Sequence, residues 1–246
     1  MNKTLLILIF SNFLHTELIL EITQGTDNPY RVALVQFEGN ENISKDINEV
    51  IRNNLTRSGE FKIFGNDDLI SYPSDATQVI FNDFKILDID YLIIGKIVEE
   101  GASISVVYEI YDINKRKKIR TSTVFGIPNR NRQLSHYISD GIYEEITGIK
   151  GISSTKILYV TEKDNFNLVI ADADGSNEQV LLKSKDPIIS PSWSPDSKKV
   201  AYVSFETGMA KVYIQNIASG QRELAIENPS QISSPSWSPD GKFLSL

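Results

Sequence analysis

The sequence predicts two units of different class in one chain. A mixed α/β domain over 17–150 is followed by an incomplete all-β propeller over 151–246, about two blades long, behind a signal peptide at 1–16. Three observations predict this. Buried-type strands alternate with two amphipathic helical stripes up to about residue 150. Short strands and tight turns fill the remainder. A seven-residue string built around a tryptophan occurs twice, 44 residues apart.

The start of the chain reads as an export signal. Asn2-Lys3 precedes an apolar stretch from Thr4 to Leu14, with Leu5-Leu6-Ile7-Leu8-Ile9-Phe10 at its centre, too short to span a bilayer as a mature helix. A buried first strand or an uncleaved anchor are the alternatives. The bulk composition, 41% hydrophobic and 23% charged, is that of globular material. The net charge of −7 opposes binding to phosphate backbones, so no nucleic-acid partner is expected. With no cysteine, the chain can form neither disulfides nor zinc–thiolate sites.

The elements of the α/β domain follow in order. Arg31–Phe37 reads as a buried strand. Ile43, Ile47, Val50, Ile51 and Leu55 then form one helical stripe, with Ser44 as the expected cap and Gly59 as the stop. Phe61–Phe64 is a short strand, and Asp67-Asp68 opens a helix or turn. Tyr91–Ile97 is a second buried strand. Ser103–Tyr111 and Lys118–Phe125 read as a hairpin around the basic turn Lys115–Lys118. Leu134, Ile138, Ile142 and Ile146 recur every four residues, a second helix closed by Gly148. Strands mixed with helices in this order make a small α/β domain.

The second unit is patterned differently. Lys156–Thr161, Leu168–Ala171 and Gln179–Leu182 are strand candidates, with Asp174-Gly175 and Ser219-Gly220 as hairpin signals. Ser190-Pro191-Ser192-Trp193-Ser194-Pro195-Asp196 recurs as Ser234-Pro235-Ser236-Trp237-Ser238-Pro239-Asp240, and Gly241 follows the second copy. That period, with about four strands in it, matches a propeller blade. Trp193 and Trp237 are apolar anchors between blades. Pro195-Asp196 and Pro239-Asp240-Gly241 are turn chemistry. About two blades are present where closed propellers have about 4–8. The expectation is a piece of a longer protein; blades completed by a second chain are the alternative.

These residues resemble the TolB family of the Tol-Pal envelope system. Glu21-Ile22-Thr23-Gln24-Gly25 with Pro29 is similar to the family's mature start, and Leu55–Phe61 to the end of its first helix. Ile146–Gly151 followed by Ser154–Val160 is similar to its domain junction, and the tryptophan repeat to its blades. The resemblance implies a six-bladed propeller and a periplasmic, non-enzymatic scaffold associated peripherally with the envelope. It implies that an N-terminal segment contacts TolA-like proteins and that the propeller face binds Pal. Matched residues of that segment are Glu17, Glu21, Ile22, Thr23, Gly25, Asp27 and Pro29. Leu18-Ile19-Leu20 departs from the family pattern by being strongly aliphatic. A polar–apolar tail of this kind can donate a strand to a partner's sheet edge; a free tail or a strand of its own domain are the alternatives.

Catalytic chemistry is absent from the pattern. His15 and His136 are the only histidines, and His136 is expected on a helix surface or at the junction. No Gly-x-Ser-x-Gly elbow and no phosphate loop occur. Asp172–Glu178 is oxygen-rich enough to raise a calcium site, but lacks an EF-hand's closing glutamate and reads as a blade turn. No cofactor and no small-molecule substrate are expected. The rival readings are the propeller of a serine peptidase of prolyl-oligopeptidase or acyl-peptide-hydrolase type, and a free-standing sugar- or ion-binding propeller.

Overall fold

A computed structural model describes residues 28–127, 130–226 and 234–245. The first unit is built on a five-stranded mixed sheet. Its elements are β1 (Tyr30–Leu34), α1 (Glu41–Arg57), β2 (Phe61–Phe64), α2 (Phe81–Ile86), β3 (Tyr91–Glu100), β4 (Ser103–Asp112), β5 (Lys117–Gly126) and α3 (Asn131–Thr147). The strand order is β2-β1-β3-β4-β5. β1 pairs in parallel with β2 and β3, and β3-β4-β5 is an antiparallel meander.

Both faces of β1 and β3 are covered, which explains their unbroken apolar runs. On one face Val32, Leu34 and Ile93 meet Ile47, Ile51 and Leu55 of α1 and Leu134, Ile138 and Ile142 of α3. On the other, Ala33, Val35, Leu92 and Ile94 enclose Phe84 of α2 together with Leu69 and Ile89. Strand β1 stops at Leu34, earlier than its apolar run, because a side chain takes over its polar groups. Asn48 of α1 donates to Val35 O (2.9 Å) and accepts from Phe37 N (3.1 Å).

The cap of α1 differs from the expectation. Asn40 caps it, accepting from Asn42 N and Ile43 N at 3.2 and 3.4 Å. Ser44 already lies inside the first turn, since its amide donates to Asn40 O. Its buried hydroxyl donates to Phe37 O (2.5 Å). The stops do fall on glycine: Gly59 and Gly148 have φ of +77° and +74°, values open to glycine at little cost.

After α3 the regular elements among the described residues are all strands. β6 (Lys156–Glu162), β7 (Phe166–Asp172) and β8 (Gln179–Ser184) form a three-stranded sheet. β9 (Ile188–Trp193), β10 (Lys199–Ser204), β11 (Lys211–Asn216) and β12 (Arg222–Ile226) form a four-stranded antiparallel sheet, and β13 (Ser236–Trp237) pairs with β14 (Leu244–Ser245). The tryptophan string is thus the first strand of its sheet. The first sheet, among the described residues, begins with a strand resembling β10.

The sheets share one core. Leu168 and half-buried Leu158, Val160 and Leu182 of the first meet Ile188, Val200, Tyr202 and half-buried Trp193 of the second. A buried polar link crosses the same seam. Tyr202 Oη donates to Gln215 Oε1, and Gln215 Nε2 donates to Leu181 O, both at 3.0 Å. Burial raises the Tyr202 pKa to about 12, so the phenol stays protonated and donating. Among the described residues no helix is long and apolar enough to cross a membrane.

Candidate functional site

Three regions bear on function: the exit of the N-terminal segment, the repeated turns, and the contact between α3 and the first blade. Of the matched N-terminal residues, Glu17, Glu21, Ile22, Thr23, Gly25 and Asp27 lie outside the described residues. Pro29 leads into β1 at the rim of a polar cavity of about 510 Å³ lined by Tyr30, Arg31, Asp88, Asp90, Tyr91, Asp112, Asn114 and Lys115. The charges around it are largely paired. Arg31 forms an ion pair with Asp88 and donates to Leu87 O (3.0 Å), and its amide donates to Asp90 Oδ2 (2.9 Å). Lys115 Nζ lies 2.9 Å from Asp112 Oδ2. Burial alone would raise the Asp112 pKa, but the Lys115 amide and ammonium bring it below the usual carboxylate value. This floor offers anchored charge and no nucleophile–base pair.

The two turns repeat atom for atom. Ser194 Oγ donates to Asp196 Oδ1 (2.6 Å) and accepts from Lys199 N (2.9 Å), while Lys198 N donates to Asp196 Oδ1 (3.1 Å). Ser238 Oγ, Asp240 Oδ1, Phe243 N and Lys242 N repeat these bonds at 2.7, 3.0 and 3.1 Å. Pro195 and Pro239 take the second position of turns closed by Ser197 N to Ser194 O and Gly241 N to Ser238 O. Trp237 Nε1 donates back to Ser192 O (3.4 Å), and Ser234 Oγ bonds Ser190 Oγ (3.1 Å). These bonds register one copy against the next. In each copy one carboxylate oxygen, Asp196 Oδ1 or Asp240 Oδ1, is used in shaping the turn.

The last turn position is left-handed in both copies, φ +57° at Ser197 and +69° at Gly241. Left-handed backbone costs a side-chain-bearing residue about 1–2 kcal/mol, against about 0.5–1 kcal/mol of extra chain entropy for glycine. Ser197→Gly is therefore expected to stabilise the protein by roughly 0.5–1 kcal/mol, read as a raised denaturant midpoint at unchanged slope.

The third region joins α3 to the first blade. The Asp140 carboxylate accepts from Ser153 N (2.6 Å) and Ser154 N (2.9 Å), and buried Gly151 lies directly on the Asp140 backbone. Arg132 forms an ion pair with Asp174 and its Nε donates to Ser176 Oγ (2.5 Å). Lys156 forms an ion pair with Asp172, which also accepts from Asn177 Nδ2 (2.6 Å). Burial would raise the Asp174 pKa, but Ser176 and Arg132 outweigh it and hold the carboxyl well below its ordinary range.

His136 is at the centre of this region, 2% exposed, and not on the helix surface. Its Nε2 is 3.8 and 3.7 Å from Asp172 Oδ2 and Asp174 Oδ2 and has no hydrogen-bond partner among the described residues. The three side chains present ligand-type atoms within 4.8 Å of one another, the spacing of a cation site. Hydrogen bonding argues against that chemistry. Asn54 Oδ1 accepts from Arg57 (3.3 Å), so Asn54 Nδ2 faces His136 Nδ1 (2.9 Å) and Ser139 Oγ (3.0 Å). Ser139 Oγ spends its proton on Ser135 O, so it accepts from Asn54. Nδ1 must then accept, and the neutral ring carries its proton on Nε2, where a metal would need a lone pair. Both aspartates are also already neutralised by Arg132 and Lys156. Sequence reasoning placed His136 near the junction and missed Asn54 and Arg132. Asn54 is 82 residues from His136, and no local pattern announces the contact.

Comparison with known proteins agrees with this two-part build. The model of the TolB amino-terminal domain matches residues 18–119, and that of the TolB beta propeller domain matches 143–246. The Tol-Pal system protein TolB of Alcanivorax borkumensis is 39% identical over 213 residues, 84% of this chain and 49% of the relative. That of Pseudomonas aeruginosa is 38% identical over 83% of this chain and 49% of its own length. The crystal structure of TolB from Acinetobacter baumannii superposes with a TM-score of 0.81 at 34% identity, covering 89% of this chain and 54% of that one. The chain spans about half the length of the curated relatives it matches, and it is a TolB homologue carrying the amino-terminal domain and the beginning of the propeller.

Proposed function

We propose that this protein is a periplasmic scaffold of the Tol-Pal system, linking inner-membrane Tol proteins to Pal. In that role it supports outer-membrane integrity, constriction during cell division and protein import across the envelope. The observation that carries the reading is the joint match of both TolB domains, in order, at up to 39% identity. Residues 1–16 act as a signal peptide, 17–150 form the N-terminal domain and 151–246 the start of the propeller. Glu17, Glu21, Ile22, Thr23, Gly25, Asp27 and Pro29 form the contact for a TolA-like partner, as a strand added to that partner's sheet. Pal binds the propeller. The protein is not an enzyme, needs no cofactor, and takes no nucleic acid or small-molecule substrate.

The committed polar groups described above support a structural use of the repeat. Trp193, Pro195, Asp196, Trp237, Pro239, Asp240 and Gly241 build and register blades, and the partner surfaces lie elsewhere. The test is affinity capture with the full-length protein. Pal is expected to be retained, and deletion of residues 17–29 is expected to abolish capture of the TolA-like partner while Pal is still retained. Loss of Pal capture by the undeleted protein would remove the reading.

A further inference from the structure

We infer that His136 is a proton-controlled latch at the seam between the α/β domain and the first blade: the two pack together around its neutral ring and part when the ring is protonated. The geometry is specific. The imidazole lies between three elements: Asn54 of α1 on its Nδ1 side, α3 that carries it, and the β7–β8 turn with Asp172 and Asp174 on its Nε2 side. In the neutral ring Nδ1 accepts from Asn54 and the Nε2–H points across the seam at two carboxylates. Protonation puts a second hydrogen on Nδ1, facing the Asn54 amide. Asn54 cannot turn its oxygen inward without losing the Arg57 bond and facing its own N–H₂ toward a guanidinium. The joined arrangement thus has no acceptor for the added proton.

The other charges around the ring do not reverse this. Arg132 on the same helix faces it as a like charge, and Lys156 and Arg132 are spent on Asp172 and Asp174. Asp140, the remaining nearby carboxylate, is held by the linker amides Ser153 and Ser154. Burial lowers the His136 pKa, Asp174 and Asp172 oppose this, and the net direction is down. An arrangement with the domains parted and His136 in water has the ordinary value, about 6.5. The parted form therefore binds more protons as pH falls below that value, and acid favours it; above it both forms are neutral and the latch is closed.

These 246 residues contain no cysteine, so spin labels can be placed within them at chosen positions. In the full-length protein, labels at exposed Lys45→Cys on α1 and Lys183→Cys on β8 report the separation of the domains. A single distance population is expected at about pH 7.5, and a second, longer one at about pH 5 with unchanged far-UV circular dichroism. Nitrogen NMR of His136 is expected to show the Nε2–H tautomer in the neutral ring. His136→Phe should remove the pH response. Asn54→Asp supplies an acceptor for Nδ1–H, so His136 should titrate at higher pH while the longer population disappears. Several results would overturn the latch: an Nδ1–H tautomer, His136 remaining neutral down to about pH 4.5, or titration without a change in separation. An Asn54→Asp protein that still opens in acid would do the same.

Discussion

Phe84→Ala is expected to lower folding stability by about 3–5 kcal/mol, the range for emptying a phenylalanine site that cannot collapse. Phe84 has no exposed surface and is the one fully buried residue of α2, with half-buried Phe81 packed beside it on the same core. The helix is six residues long and has no side-chain cap, too short to persist by propensity. Its removal leaves Ala33, Val35, Leu92 and Ile94 facing a void and frees the segment between β2 and β3. The melting temperature should fall by roughly 6–20 °C at the usual conversion for a chain of this size. Protection from hydrogen exchange should be lost first over residues 65–90. A change below about 1 kcal/mol would show that this second layer is not part of the cooperative fold.

Gly151→Val is expected to cost about 3 kcal/mol or more, through overpacking and lost charge-assisted hydrogen bonds. A Cβ at 151 would lie 2.5 Å from the Asp140 Cα and 2.5 Å from its Oδ1. Backbone of α3 cannot swing aside as the end of a flexible side chain can. Relief requires the linker to move, and movement releases Ser153 N and Ser154 N from the Asp140 carboxylate. The blade turn held by Arg132 then loses its register against α3. Calorimetry should show two separated transitions in place of one, since the N-terminal sheet does not use this contact. A single transition with unchanged midpoint would contradict the role given to the junction.

The fold class was legible in the sequence because its two signals are periodic. The stripe Ile47, Ile51, Leu55 and the stripe Leu134, Ile138, Ile142, Ile146 each face the core as their spacing requires. β1 and β3 were legible because burial on both faces leaves no polar alternation to confuse them. The repeat located blades, but its period does not carry phase: only pairing shows the tryptophan string as the first strand of its sheet. Helix α2 was not legible, because one buried phenylalanine in six residues makes no period. Asn40 and Ser44 are both capping types, and only the Ser44 N to Asn40 O bond decides between them. The buried polar cluster was hidden for another reason. Asn54, His136 and Asp172 are ordinary residues in their local contexts, and only the meeting of α1, α3 and the β7–β8 turn makes them neighbours.

The proposed function requires the full-length protein to hold two partners through different parts of one molecule. The most direct measurement is calorimetric titration of the full-length protein, intact and lacking residues 17–29, with purified Pal and with the TolA-like partner. The account predicts saturable binding of both by the intact protein. It predicts unchanged Pal affinity and no TolA-like binding after the deletion. Equal loss of both on deletion, or retention of both, would contradict it.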